Sequence, residues 1–162
     1  MAATAEQRRR DAEKALRHQY EFCDLLDLRK VQAVAEHAPR ITKFLREEEK
    51  QFLLPDEFMD SSVMTEVTEK MRAYLVDWLA ELHYKFKMWQ ETLHVCVGII
   101  DRFLGATPDL KKNELQCLGI TALHIAAKYE EIYPPDLKSL LRVTDNAVTK
   151  PEIMKMEFRI LM

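Results

Sequence analysis

Residues 67–86 of the chain read VTEKMRAYLVDWLAELHYKF. The large apolar residues of this stretch recur at steps of four, four, three, four and four: Val67, Met71, Leu75, Trp78, Leu82 and Phe86. That spacing places them on one face of an α-helix, as in helices that pack against a core. Ser62 and Thr65 can cap the start of the helix, and Glu66 and Glu69 suit the positive end of its dipole. The stretch therefore predicts an amphipathic helix over about residues 65–86.

The sequence around this helix predicts further helices and no strand. Residues 91–105 carry apolar side chains on every face, which is typical of a helix enclosed by its neighbours. Proline and capping signals, among them the Thr149-to-Glu152 capping box, delimit three more helices at about 113–133, 136–142 and 149–162. We therefore expect an all-α bundle of five helices over residues 39–162. A short helix over about 40–52 precedes those five, and residues 1–38 form a polar, helical N-terminal extension.

The composition excludes several classes of protein. Three Gly and six Pro are about 6% of the 162 residues, against roughly 12% in average usage, which disfavours glycine-rich phosphate loops and turn-rich β-folds. Lys plus Arg is 24 and Asp plus Glu is 27, and a net charge of −3 argues against a nucleic-acid partner. The apolar runs are shorter than the roughly 20 residues that span a bilayer. We expect a soluble intracellular protein that contacts no membrane.

The residues that could carry chemistry form no recognisable catalytic or metal-binding set. The five histidines make no HExxH pattern, and the three cysteines, without CxxC spacing, indicate neither a zinc site nor a disulfide framework. Cys96 lies two residues from His94, which places the two on different faces of one helix. The glycine-based motifs of hydrolases, P-loops and dinucleotide folds are missing. The sequence predicts no enzyme, no metal site and no cofactor.

Two charged residues need a partner in this arrangement. Asp101 follows two isoleucines in the helix predicted to be enclosed, and a lone buried carboxylate is strongly penalised. Arg72, on the first helix of the bundle, is the natural counter-ion. We therefore expect an Arg72–Asp101 ion pair, with the alternative that both side chains reach solvent.

Eight short motifs, in order and in spacing, resemble those of the cyclin box, most closely that of the mitotic A/B-type group. They are MRAYLVDWL at 71–79, KF at 85–86, ETL at 91–93, IDRFL at 100–104, LQ at 115–116, AKYEEIYPP at 127–135, TD at 144–145 and ME at 156–157. The resemblance covers about residues 42–162, roughly three-quarters of the chain. It implies a five-helix cyclin fold that binds and activates a cyclin-dependent protein kinase as a heterodimer. The cell-cycle stage it implies is G2/M, in the nucleus and cytoplasm.

The resemblance also assigns residues. Lys128 and Glu157 match the family's charged pair that hydrogen-bonds kinase backbone, and Ile125 and Tyr129 would add apolar contact beside it. Arg72 and Asp101 match a structural ion pair of the family. Without the resemblance, Lys128 and Glu157 would be interpreted as ordinary surface charges.

A second set of residues matches the shallow groove in which the family binds RxL-type docking peptides of substrates and inhibitors: Met71, Tyr74, Leu75, Trp78, Glu81 and Gln116. By itself, an apolar stripe at helical spacing indicates core, so the groove is expected where the edge of the stripe meets solvent. Tyr74 departs from the family, which has a branched aliphatic residue there, and we expect it to change which peptides fit.

Two alternatives remain open from the sequence. A cyclin-fold module of a transcription factor would bind nucleic acid and would need a basic face. The second alternative follows from the family's second five-helix repeat, which is missing after Met162. The chain would then be a non-activating single-box fragment, a truncated gene model or a divergent short form.

Overall fold

The computed structural model describes Asp27, residues 30–55, 58–59, 64, 66–145 and 147–162. Within these residues every regular element is helical, which confirms the all-α prediction. The α-helices are α1 (Ala38–Glu49), α2 (Glu69–Phe86), α3 (Gln90–Ala106), α4 (Leu115–Glu130), α5 (Leu137–Arg142) and α6 (Lys150–Leu161). Short 3-10 turns lie at Val31–Ala33, Ala35–His37 and Lys112–Glu114.

The chain divides into two compact units, the first ending at Leu53 and the second spanning Leu54–Met162. The first unit contains α1, which begins with Pro39 in its first turn, where the missing N–H costs no helical hydrogen bond. Most of the predicted N-terminal extension over residues 1–38 lies outside the described residues. The boundary predicted after residue 38 stays a prediction.

The second unit holds the five-helix bundle, and α4 is its central helix. Ten of the 16 residues of α4 are buried, against five of the 17 in α3. The prediction that residues 91–105 form the enclosed helix was therefore wrong. Its remaining apolar side chains, such as Val95 and Ile99, are only half-buried, whereas small residues in α4 let the neighbouring helices approach closely.

Gly119 shows how close that approach is. A Cβ at this position would lie 2.7 Å from Cδ1 of Leu75 on α2, so only hydrogen fits there. At Gly98 a Cβ would meet only the Arg102 side chain of the same helix. Close approach of a neighbouring helix therefore constrains Gly119 and does not constrain Gly98.

Capping residues fix where α2 and α6 begin. The hydroxyl of Thr68 accepts the N–H of Met71 at 3.3 Å, so α2 starts at Glu69, later than the sequence suggested. The proposed caps Ser62 and Thr65 lie outside the described residues. At α6 the capping box is confirmed, because Glu152 accepts the backbone N–H of Thr149 at 2.7 Å.

Candidate partner-binding surfaces

The structure brings Arg72 and Asp101 together across the contact between α2 and α3. Nε and Nη2 of the arginine each donate to a different oxygen of the aspartate at 2.6 Å, a bidentate pair. The arginine side chain is 28% exposed and that of the aspartate 15%. The hydrogen bonds to Asp101 raise the pKa of the Arg72 guanidinium, against the opposing effect of burial. The pair therefore holds two helices together from within.

Lys128 and Glu157 also meet, at the contact between α4 and α6. The ammonium of Lys128 donates to Oε1 of Glu157. The lysine side chain is 44% exposed while that of the glutamate is 15% exposed. This pair therefore presents a positively charged group to solvent and keeps its carboxylate largely covered.

Apolar side chains surround the Lys128–Glu157 pair. Tyr129 is largely exposed and Ile125 half-buried on α4, as the sequence places them next to Lys128. On α6, Met154 and Leu161 lie about one turn before and after Glu157, and both are exposed. Sequence reasoning missed these two, although their spacing from Glu157 puts them on its face of the helix.

His124 also lies near this pair, although the sequence did not connect it with a binding surface. It lies one turn before Lys128 on α4, and its Nδ1 is buried without a hydrogen-bond partner among the described residues. Burial lowers the pKa of His124, Lys128 lowers it further, and Glu157 acts in the opposite direction. The imidazole next to the pair is thus favoured in its neutral form.

A shallow cavity of about 290 Å³ opens at the surface between α2 and the start of α4. Five of the six predicted groove residues line it: Met71, Tyr74, Leu75 and Trp78 from α2 and Gln116 from α4. The sixth, Glu81, is exposed one turn beyond Trp78 and is not among the lining residues. Lys112 and Leu115 also line the cavity, and the sequence did not single them out for it.

Two features position the rim of this cavity. The backbone N–H of Lys112 donates to Oε2 of Glu66 at 3.1 Å, which ties the 3-10 turn to the chain just before α2. Tyr74 is 63% exposed, and the ammonium of Lys70 lies 5.8 Å from the centroid of its ring, a cation–π contact. The floor is apolar and the rim is polar, a surface suited to a short peptide.

The described residues contain no group of three or more His, Cys, Asp or Glu that could hold a metal ion. Burial raises the pKa of the Cys96 thiol to about 12, so this thiol is not an activated nucleophile. In the part of the chain that the structure covers, no helix is long and apolar enough to cross a membrane.

Comparison with known proteins agrees with this arrangement. Residues 40–162 match the family profile described as cyclin, N-terminal domain. The chain is 40% identical over 141 residues to a G2/mitotic-specific cyclin-B of Marthasterias glacialis, covering 87% of this chain and 35% of that protein. It is 40% identical over 147 residues to the human G2/mitotic-specific cyclin-B2, covering 91% of this chain and 36% of that protein.

A plant relative and a solved structure extend the likeness. Cyclin-B1-2 of Arabidopsis thaliana is 47% identical over 129 residues, covering 80% of this chain and 28% of the relative. A viral cyclin from herpesvirus saimiri, solved by X-ray crystallography, is 26% identical with a TM-score of 0.60, covering 70% of this chain and 49% of that chain. The chain thus spans about a third of the length of these curated relatives. It belongs to the cyclin family, and its residues 40–162 are an N-terminal cyclin box of the mitotic B type.

Proposed function

We propose that this protein is a regulatory subunit that binds and activates a cyclin-dependent protein kinase at the G2/M stage, in the nucleus and cytoplasm. The observation that supports the proposal most directly is the Lys128–Glu157 pair, together with the exposed apolar side chains near it. A half-exposed ammonium beside exposed Tyr129, Met154 and Leu161 combines polar and apolar contact in the way that a protein interface requires. The names of its relatives support the stage, since they are G2/mitotic-specific cyclins.

The proposed action needs no chemistry from this chain. A protein kinase is active only when a lysine–glutamate pair involving its C-helix is formed and its activation loop is correctly placed. A subunit that binds the active arrangement more tightly than the inactive one shifts the kinase population toward activity. The rigid packing of α4 against α6 would offer Lys128 and Glu157 as a fixed template for the mobile helix of the partner.

The experiment compares two pairs of alanine substitutions. Lys128→Ala with Glu157→Ala should abolish co-purification with a cyclin-dependent kinase and abolish kinase activation, while circular dichroism shows unchanged helicity. Glu114→Ala with Arg159→Ala is the matched control. It removes another ion pair of α6, with Nη1 to Oε1 at 2.6 Å, but Arg159 lies two residues from Glu157 and so faces nearly the opposite way.

Each result of this comparison has a clear meaning. Normal binding by the first variant would contradict the interface. Binding without activation by the unmodified chain would favour a non-activating single-box form. Loss of binding by both variants would point to a general effect on α6.

We also propose that the cavity between α2 and α4 docks RxL-type peptides of kinase substrates or inhibitors. Its apolar floor of Leu75, Trp78 and Leu115, with a polar rim, supports this. Failure of every RxL peptide to bind the folded chain would contradict the docking and leave the kinase proposal standing.

A further inference from the structure

Among the described residues that line the cavity between α2 and α4, the one charged side chain is that of Lys112, whereas Glu81, the acidic residue expected there, does not line it. A second cation, Lys70, lies over the ring of Tyr74 at the same rim. The end of the cavity nearest the start of α2 therefore carries two exposed ammonium groups, with the carboxylate of Glu66 beside them.

Neither of these two ammonium groups forms an ion pair with the part of the chain that the structure describes. Glu66 is the acidic residue bonded to this rim, and its carboxylate accepts the backbone N–H of Lys112. Two solvent-exposed ammonium groups beside an apolar floor can therefore pair with a carboxylate that comes from outside.

Along α2, Lys70 and Glu81 carry opposite charges and lie about three turns apart, a rise of about 16 Å. An extended peptide covers that distance in about five residues. At physiological ionic strength the Debye length is about 8 Å, so each end of the peptide responds mainly to the charge nearest to it.

We infer that the cavity selects docking peptides that carry an acidic residue about four to six positions from their basic one. The peptide's carboxylate meets Lys112 and the rim formed by Lys70 and Tyr74. Its apolar residue enters the floor at Leu75 and Trp78, and its basic residue lies toward Glu81. This selectivity rests on the proposed docking function and names the class of peptide that the site prefers.

The test uses fluorescein-labelled RxL peptides and fluorescence anisotropy with the full chain. One peptide carries glutamate four positions after the arginine, and matched peptides carry glutamine or lysine there. A second set places the same residues four positions before the arginine, because the peptide can run in either direction. In one of the two sets the glutamate peptide should bind about two- to fivefold more tightly than the glutamine peptide, as for a solvent-exposed ion pair, and the lysine peptide most weakly.

Lys112→Gln should reduce the difference between the glutamate and glutamine peptides, and Lys112→Gln combined with Lys70→Gln should abolish it. Lys111→Gln is the matched control, because Lys111 is exposed next to Lys112 but does not line the cavity, and it should preserve the difference. Raising the salt concentration should reduce the difference in the unmodified chain.

The outcomes separate this inference from the docking proposal. Equal binding of all three peptides in both sets, or a preference that Lys112→Gln leaves unchanged, would overturn the selectivity while docking stands. Absence of binding by every peptide to the folded chain would overturn docking and selectivity together.

Discussion

The Arg72–Asp101 and Lys128–Glu157 ion pairs each join two helices of this bundle. They differ in how far the charged groups of each pair are exposed to a binding partner. Arg72 and Asp101 satisfy each other through two hydrogen bonds of 2.6 Å inside the α2–α3 contact. Lys128 and Glu157 share one bond at the α4–α6 contact, and the lysine remains 44% exposed. Lys128 uses one of its three N–H donors on Glu157, and its exposed ammonium can offer the others to another molecule. The Arg72 guanidinium also keeps donors, but it lies in the contact between α2 and α3 and is only 28% exposed.

The difference teaches that burial and bond count, more than residue type, separate a structural pair from a binding pair. Both pairs couple residues 29 positions apart in the sequence, so neither can be recognised from local spacing. An ion pair inside a helix contact, such as Arg72–Asp101, fixes the geometry of the two helices, because removing one residue leaves the other charge covered and unpaired. An ion pair at the edge of a contact, such as Lys128–Glu157, contributes little stability, because its cation can be solvated when the pair is broken.

The most direct way to break this comparison is to remove one partner from each pair. Asp101→Ala should lower the free energy of unfolding by about 2–3 kcal/mol. This loss is somewhat smaller than for a fully buried pair, because the Arg72 side chain is partly exposed to solvent. Glu157→Ala should lower the free energy of unfolding by about 1 kcal/mol or less, because the Lys128 ammonium that remains is 44% exposed and can be solvated by water. Urea unfolding followed by circular dichroism measures both values.

A double variant provides the control for the interior pair. Arg72→Met with Asp101→Leu removes both charges at similar volume and should recover most of the stability lost in Asp101→Ala. Equal losses for Asp101→Ala and Glu157→Ala would contradict the division into a structural and a binding pair.

The next effect concerns Gly119, which connects the interior to the cavity surface. Gly119→Ala places a methyl group 2.7 Å from Cδ1 of Leu75, a side chain that also lines the cavity. We expect a loss of about 1–3 kcal/mol from overpacking, together with weaker RxL-peptide binding as Leu75 is displaced. Urea unfolding and anisotropy give the two readouts.

Gly98→Ala is the matched control for this substitution. Its methyl group meets only the flexible end of Arg102, so the gain in helix propensity, up to about 1 kcal/mol, should make it neutral or stabilising. Equal stability of the two alanine variants would show that the close packing of α2 on α4 does not require glycine at position 119.

The helices followed from the sequence because apolar spacing reports the face that a helix buries. The identity of the central helix did not. Gly119, Ala122 and Ala126 are small, so they register weakly as hydrophobic, yet their size is what allows other helices to surround α4. The stronger apolar pattern of residues 91–105 pointed to α3 instead.

The candidate sites followed from the sequence only in part, for a different reason. Lys128 and Glu157 were chosen through the family resemblance, since exposure and long-range contact cannot be read from either residue alone. Lys112 and Leu115 were missed as parts of the cavity because the 3-10 turn that contains Lys112, and the start of α4 at Leu115, reach it through the tertiary fold. A lysine in a loop carries no local signal of the surface that it faces.

The smallest expected effect concerns His124, which lies next to the Lys128–Glu157 pair. The folded protein lowers the pKa of His124 below its ordinary value of 6.5, first through burial and then through Lys128. The unfolded chain therefore binds a proton more readily, so this contribution to stability is fully present above pH 6.5 and is lost as the pH falls below it. His124→Gln should make the difference in urea midpoint between pH 7.5 and pH 5.5 smaller than in the unmodified chain. His94→Gln, at an exposed histidine of α3, should leave that difference unchanged. If His124→Gln kept the full difference, the buried Nδ1, which has no hydrogen-bond partner among the described residues, would not be a source of acid sensitivity.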